Sequence, residues 1–272
     1  MPKQVRHDGE IPYICRFVKM GILNLKEVEQ YNLDDPRRTV AHGDIIRQKK
    51  FLHQLYLEWY GHFKQKADKL PKGHLFELGS GGGFIKDIIP QMLTSDVMEL
   101  PDLDHVFPGE NMPFEDGSVA GIFMIDVLHH IPQPALFLKE AERVLAKGGK
   151  IIMTEPANST WGRFIYRNFH HEPFEPTGTW EIPSTGPLSG ANGALPWIIF
   201  ERDRTKFETD FPQLKIESIR YHTPLRYLLS GGVSKRQLAP NFSYGAVKGF
   251  ENLLLAISKQ LSMFVTIEIT RQ

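Results

Sequence analysis

One cysteine, Cys15, stands among 272 residues, so neither an internal disulfide nor a thiolate metal set can form; a buried or inert thiol is expected. The chain also lacks a surplus of either charge. Lys+Arg and Asp+Glu both total 32, which removes the global field that would draw in nucleic acid or an anionic membrane and leaves only local patches. No apolar run reaches membrane length near the start, because Arg16 and Lys19 interrupt the stretch from Ile11 to Leu25. Neither a signal peptide nor a membrane span is expected, and the cytoplasm is the expected location. There is no internal repeat and no low-complexity tract.

What is present is an alternation of strand and helix signals. Residues 1–72 read as a helical cap, with Leu52, Leu55, Tyr56, Trp59 and Phe63 giving one apolar face to a helix over about 44–66. Pro71-Lys72-Gly73 punctuates, and residues 73–156 read as a nucleotide-binding core. Its strands are expected at 74–78, 93–96, 104–107, 119–125 and 150–153, with a short helix ended by Pro90 and a longer one from Pro134 to Leu145, stopped by Lys147-Gly148-Gly149. Residues 157–206 read as an insert or lid, rich in aromatic residues and poor in periodicity. Residues 207–272 supply a sixth strand near 215–221, an apolar helix around 250–261 and a last strand at 263–269. The class is α/β, a doubly wound Rossmann-like sheet of seven strands.

The run Phe76-Glu77-Leu78-Gly79-Ser80-Gly81-Gly82-Gly83-Phe84 ends an apolar strand in an acid and a glycine turn. Glycines let the main chain bend sharply and let a ligand approach it closely. A dinucleotide site would place a third glycine where Phe84 stands, and a carboxylate ahead of the turn would repel a pyrophosphate. Glu77 suits an ammonium instead, such as that of S-adenosylmethionine. Asp96, nineteen positions on at the end of the second strand, can accept hydrogen bonds from both hydroxyls of a ribose.

These residues resemble the class I S-adenosylmethionine-dependent methyltransferases, in particular the group that methylates small molecules and lipids. The resemblance covers about residues 73–156. Beyond the glycine turn and Asp96 it rests on Met112-Pro113-Phe114-Glu115-Asp116, on Asp126-Val127-Leu128-His129-His130-Ile131-Pro132, and on Arg143-Val144-Leu145-Ala146-Lys147-Gly148-Gly149. It implies a last strand antiparallel to the rest and a cofactor site made of Glu77, Gly79, Ser80, Gly81, Gly83, Asp96, Gly109, Glu110, Met112 and Asp126. The places of the family's adenine-binding acid and the alanine after it hold Pro108 and Gly109, with Glu110 as a shifted substitute.

Methyl transfer from a sulfonium is an in-line displacement that needs alignment and exclusion of water. For a hydroxyl acceptor a general base helps, and the resemblance implies a pocket-facing histidine, taken as His129, with Asp126 to orient it and Glu155 touching the substrate. His170-His171-Glu172 offers ligand atoms, but neighbours in sequence rarely converge on one ion, so no metal is expected. Asp35-Pro36-Arg37-Arg38 is either an anion site or a solvated loop. The two prolines and aromatic of base methylases are missing after Asp126, which disfavours nucleic acid as substrate. Trp161, Phe164, Tyr166, Phe169, Trp180, Trp197 and Phe200 raise a lipid-like acceptor and peripheral membrane contact beside a plain small molecule. A non-catalytic S-adenosylmethionine-binding module is the alternative, and a nicotinamide oxidoreductase is opposed by Glu77 and Phe84. The oligomeric state is not written in these features.

Overall fold

The continuous apolar runs become the inner strands of one sheet, because a strand covered on both faces has no polar side to show. The computed structural model describes residues 23–183 and 185–272. Cys15, and most of the stretch whose charges argue against a membrane span, lie outside the described residues. The strands are β1 (His74–Leu78), β2 (Leu93–Asp96), β3 (His105–Val106), β4 (Val119–Ile125), β5 (Leu145–Pro156), β6 (Leu214–His222) and β7 (Phe264–Arg271). They order as β3-β2-β1-β4-β5-β7-β6. β1 pairs in parallel with β2 and β4, β2 with β3, and β4 with β5, whereas β7 is antiparallel to both β5 and β6. The expected antiparallel last strand is therefore present. Chain order reverses between β1 and β4, so the carboxyl ends that carry Glu77, Asp96 and Asp126 open on the same crevice.

Three elements differ from expectation, each for a local reason. The single helix over 44–66 is two, α1 (Pro36–Gln48) and α2 (Lys50–Ala67). Lys49 between them is extended and its ammonium donates to the carbonyls of Gly232 at 2.6 Å and Lys235 at 2.8 Å, tying the cap to a late loop. β5 begins at Leu145, directly after α3 (Pro134–Val144), and runs through the glycine stop, with a register shift against β4 between Val119 and Gly121 absorbing the irregularity. The insert is not aperiodic: Ser159 caps α4 (Thr160–Phe169) by accepting from Gly162 N, and a turn at Leu195–Trp197 passes into a π-helix, Ile198–Arg202.

α2 lays Leu52, Leu55, Trp59 and Phe63 on the sheet, where Phe63 meets Phe123 of β4 at 5.3 Å between ring centres. α3 buries Phe137, Leu138 and Ala141 in the same core. After α5 (Arg204–Asp210) and β6, the C-terminal helix α6 (Tyr244–Ile257) starts earlier than its apolar run and turns Phe250, Leu253 and Ile257 outward. No helix among the described residues is long and apolar enough to cross a membrane.

Candidate functional site

A cavity of about 640 Å³ opens at the carboxyl ends of β1, β2 and β4. The turn after β1 is built by glycines with separate tasks. Gly79 and Gly81 take φ of +66° and +52°, the left-handed region that side chains resist. Gly82 instead lies against α1, where an added Cβ would run into the backbone of Gly43, and Arg47 of α1 binds the carbonyls of Gly82 at 3.1 Å and Gly83 at 3.0 Å. The amides of Ser80, Gly81 and Gly83 are spent inside the site, on Ser95 O, Asp96 Oδ2 and Ser80 O. The turn thus offers close approach more than free donors.

Glu77 is 2 % exposed. Burial pushes this carboxyl up to about 8, and the neighbouring Asp96 acts in the same sense. A buried carboxyl on a cavity wall, with only the Ser80 and Tyr60 hydroxyls to steady its charge, fits an ammonium group, which would restore that charge. Asp96 accepts Gly81 N and Met98 N at 3.0 Å each, leaving lone pairs on both oxygens for a pair of hydroxyls. Burial raises its pKa as well. These observations fit S-adenosylmethionine, with Glu77 at the amine and Asp96 at the ribose.

Gly109 and Glu110 line the cavity with Val97, Met98 and Ile131, where a flat base could lie. Met112 does not belong to this wall and is a correction: its side chain is in the core, its N–H is held by Glu140 at 3.0 Å and its carbonyl by Arg143 at 3.1 Å. Asp126 lines the cavity with φ +57°, a strained setting that Asp tolerates better than most residues and that recurs at functional sites. Glu155 is the second correction. It is fully buried and absent from the cavity wall, because its carboxylate accepts Val127 N at 3.0 Å, Leu128 N at 2.8 Å and His129 Nδ1 at 2.7 Å. Glu155 therefore orients the loop after β4 rather than touching a substrate.

The far wall comes from three distant parts of the chain. α1 and the segment before it supply Leu33, Arg38 and His42; the insert supplies Tyr166, Phe169 and residues 170–172; the late loop supplies Tyr227 and residues 231–235. Arg38 reaches the carbonyls of Val28 and Tyr31, while Arg37 turns back to Asp35, so the arginine pair is chiefly a helix start. Asp34 fastens the insert by accepting Leu188 N at 2.7 Å and Ser189 N at 2.9 Å. Of the insert aromatics only Tyr166 and Phe169 reach this cavity; Trp180 and Phe200 are core.

The histidines converge here against expectation. Glu172 meets His129 Nε2 at 3.3 Å and His130 Nε2, His170 Nδ1 and His171 Nε2 at 3.6 Å each. Spacing within 170–172 argued against a shared centre, but the loop after β4 brings the second pair from far away in sequence. Burial presses the His129 imidazole down, yet its bonds to Glu155 and Glu172 outweigh that and raise its pKa well above the ordinary value. Glu172 is lowered despite burial by the histidines around it. His130 and His170 are both pushed down to about 4, chiefly by burial.

Residues 77–153 match the family model described as a methyltransferase domain. Among solved structures, the chain is similar to a geranyl diphosphate C-methyltransferase from Streptomyces coelicolor, crystallised with Mg2+, geranyl diphosphate and S-adenosyl-L-homocysteine: 15 % identity, 97 % of this chain and 100 % of that one, TM-score 0.47. A SAM-dependent methyltransferase of Thermotoga maritima gives 16 % identity over 84 % of this chain and 99 % of that one, TM-score 0.47. A 37.1 kDa uncharacterized protein in transposon Tn4556 of Streptomyces fradiae is 47 % identical over 45 residues, 16 % of this chain. That match spans only 13 % of the relative's length.

Proposed function

We propose that this chain, whose residues 77–153 match the family model described as a methyltransferase domain, carries a methyl group from S-adenosylmethionine to a small molecule with an apolar body and one polar acceptor atom. The observation that carries the reading is the buried Glu77 carboxyl in the wall of a cavity that Asp96 also lines. Glu77 takes the amine, Asp96 the ribose, and Val97, Met98, Gly109, Glu110 and Ile131 surround the base, with Asp126 over the reacting end.

The acceptor is taken to lie between the cofactor and the far wall. In the transfer, the sulfur–methyl bond breaks as the acceptor atom binds the methyl carbon, and sulfur leaves as a neutral thioether. Little covalent help is needed, so alignment and dryness decide the rate. Tyr166, Phe169 and Tyr227 supply the apolar wall for a lipid-like or smaller body. Where the acceptor is a hydroxyl, its proton leaves toward His129, whose ring Glu155 fixes at Nδ1. A protonated imidazole between two carboxylates has no lone pair to offer, so His129 serves as base only once Glu172 is drawn away from Nε2. The cap, the nucleotide core, the insert and the C-terminal part are proposed as one working unit, in a cytoplasmic enzyme.

Incubation with methyl-labelled S-adenosylmethionine and a metabolite and lipid extract tests this. Label should enter a product heavier than its parent by one methylene, and Asp96→Ala should abolish it. Cofactor binding with no transfer to any acceptor would instead support a non-catalytic binding module.

A further inference from the structure

We infer that His129, His130 and Glu172 hold a divalent first-row transition-metal ion in the wall of the acceptor cavity, with His170 and His171 beside it and one position open to the acceptor. The first ground is geometry. Imidazole nitrogens stand 3.3–3.6 Å from the Glu172 oxygens, beyond the roughly 2.7–3.2 Å of good hydrogen bonds. Each nitrogen–oxygen separation is close to one edge of a tetrahedron whose metal bonds are about 2.0–2.1 Å, with His129 at one Glu172 oxygen and His130 at the other. The ligand atoms of His129, His130 and Glu172 lie within 4.8 Å of one another.

The second ground is how the rings are held. His129 Nδ1 bonds Glu155 and His130 Nδ1 bonds the carbonyl of Gly190 at 3.0 Å, so both rings turn Nε2 toward Glu172. A carboxylate or a carbonyl on the far nitrogen is the usual support of a metal-bound histidine, fixing its tautomer. The third ground is charge. Asp126 and Glu172 stand in this wall with Glu155 directly behind His129, and among the described residues no lysine or arginine pairs with any of them. Arg38 from the cap and Lys235 from the late loop act on His171, disfavouring its charge. Two imidazoles with one carboxylate suit zinc, iron, cobalt or manganese better than magnesium or calcium.

The role assigned to the ion rests on the methyl-transfer reading: an acceptor hydroxyl bound at the open position loses its proton to water, and its oxygen then takes the methyl. With the ion bound, His129 is a ligand and the ion favours loss of the acceptor's proton in its place; the base role of His129 belongs to the metal-free chain.

The full chain, stripped with a chelator, is titrated with Co2+ and Zn2+ in the absence of cofactor and acceptor, with metal analysis and the visible bands of Co2+ as readouts. One ion per chain is expected, with X-ray absorption showing imidazole ligands. His130→Ala and Glu172→Ala should weaken uptake by more than about 100-fold, and Glu155→Gln by about 10–100-fold through the orientation of His129. S-adenosylmethionine binding, measured on the same samples, reports that each variant is folded. No uptake by the wild type at micromolar metal, uptake unchanged in Glu172→Ala, or a loaded ion without imidazole overturns the site. Metal uptake without any cofactor binding would sink only the methyl-transfer reading.

Discussion

Glu77 and Asp96 show how a residue's place follows from where its strand stops. Their position at the cavity was legible in the chain, because an acid in the last two residues of a strand lies at a sheet's productive edge. Glu77 also yields a proton prediction. Burial holds its carboxyl up at about 8, with Asp96 adding to the effect and the Ser80 and Tyr60 hydroxyls opposing it. Below that pH the group carries a proton that an arriving ammonium must displace, so affinity for S-adenosylmethionine should rise as the pH approaches about 8 and fall beyond it, where the cofactor's own amine, with a pKa of about 7.7–8.0, loses its charge. Calorimetry in buffers of different ionisation enthalpy should record about one proton released per cofactor bound below that pH. Glu77→Gln should remove the release, and a release that persists in this variant would assign it elsewhere. Glu172 was the illegible residue. Its partners come from two segments separated by the whole of α3 and β5, and local spacing carries no trace of such a meeting.

At the scale of elements, β1, β2, β4 and β7 were readable to within a residue or two, β4 because burial on both faces writes a continuous apolar run, whereas β5 extends past its expected bounds at both ends. β2 and β4 begin and end as expected. Helices were harder. Gly245 and Gly249 mask the first half of α6, and Lys49 carries no sequence sign that its backbone breaks the α1–α2 run. Two predictions belong here. Gly82→Ala places a methyl against the Gly43 backbone and should destabilise the protein by about 1–3 kcal/mol, read as a lower urea midpoint with an unchanged slope. An unchanged midpoint would mean that α1 is not packed on the glycine turn. Asp34→Ala leaves the amides of Leu188 and Ser189 without their acceptor and should speed their hydrogen exchange, by about 1–3 kcal/mol in local opening free energy. Protection left intact at both amides would show that the insert is fastened by other contacts.

Across the whole molecule the topology followed from simple rules. Parallel strands joined by crossovers wind outward from a switch point, and the crevice there is where a ligand fits. The roof of the crevice could not be read, because it is assembled from the cap, the insert and the late loop, whose contacts are long-range. Lys49 and Asp34 are the ties that close it. The proposed methyl transfer requires a methyl-donor nucleoside sitting between Glu77 and Asp96. Calorimetric titration of S-adenosylmethionine into the wild type, Glu77→Ala and Asp96→Ala measures this most directly. One site per chain in the wild type, weakened at least about tenfold in each variant, is the predicted result, a loss of about 1.4 kcal/mol or more. A wild type that does not bind, or affinity unchanged in both variants, would contradict it.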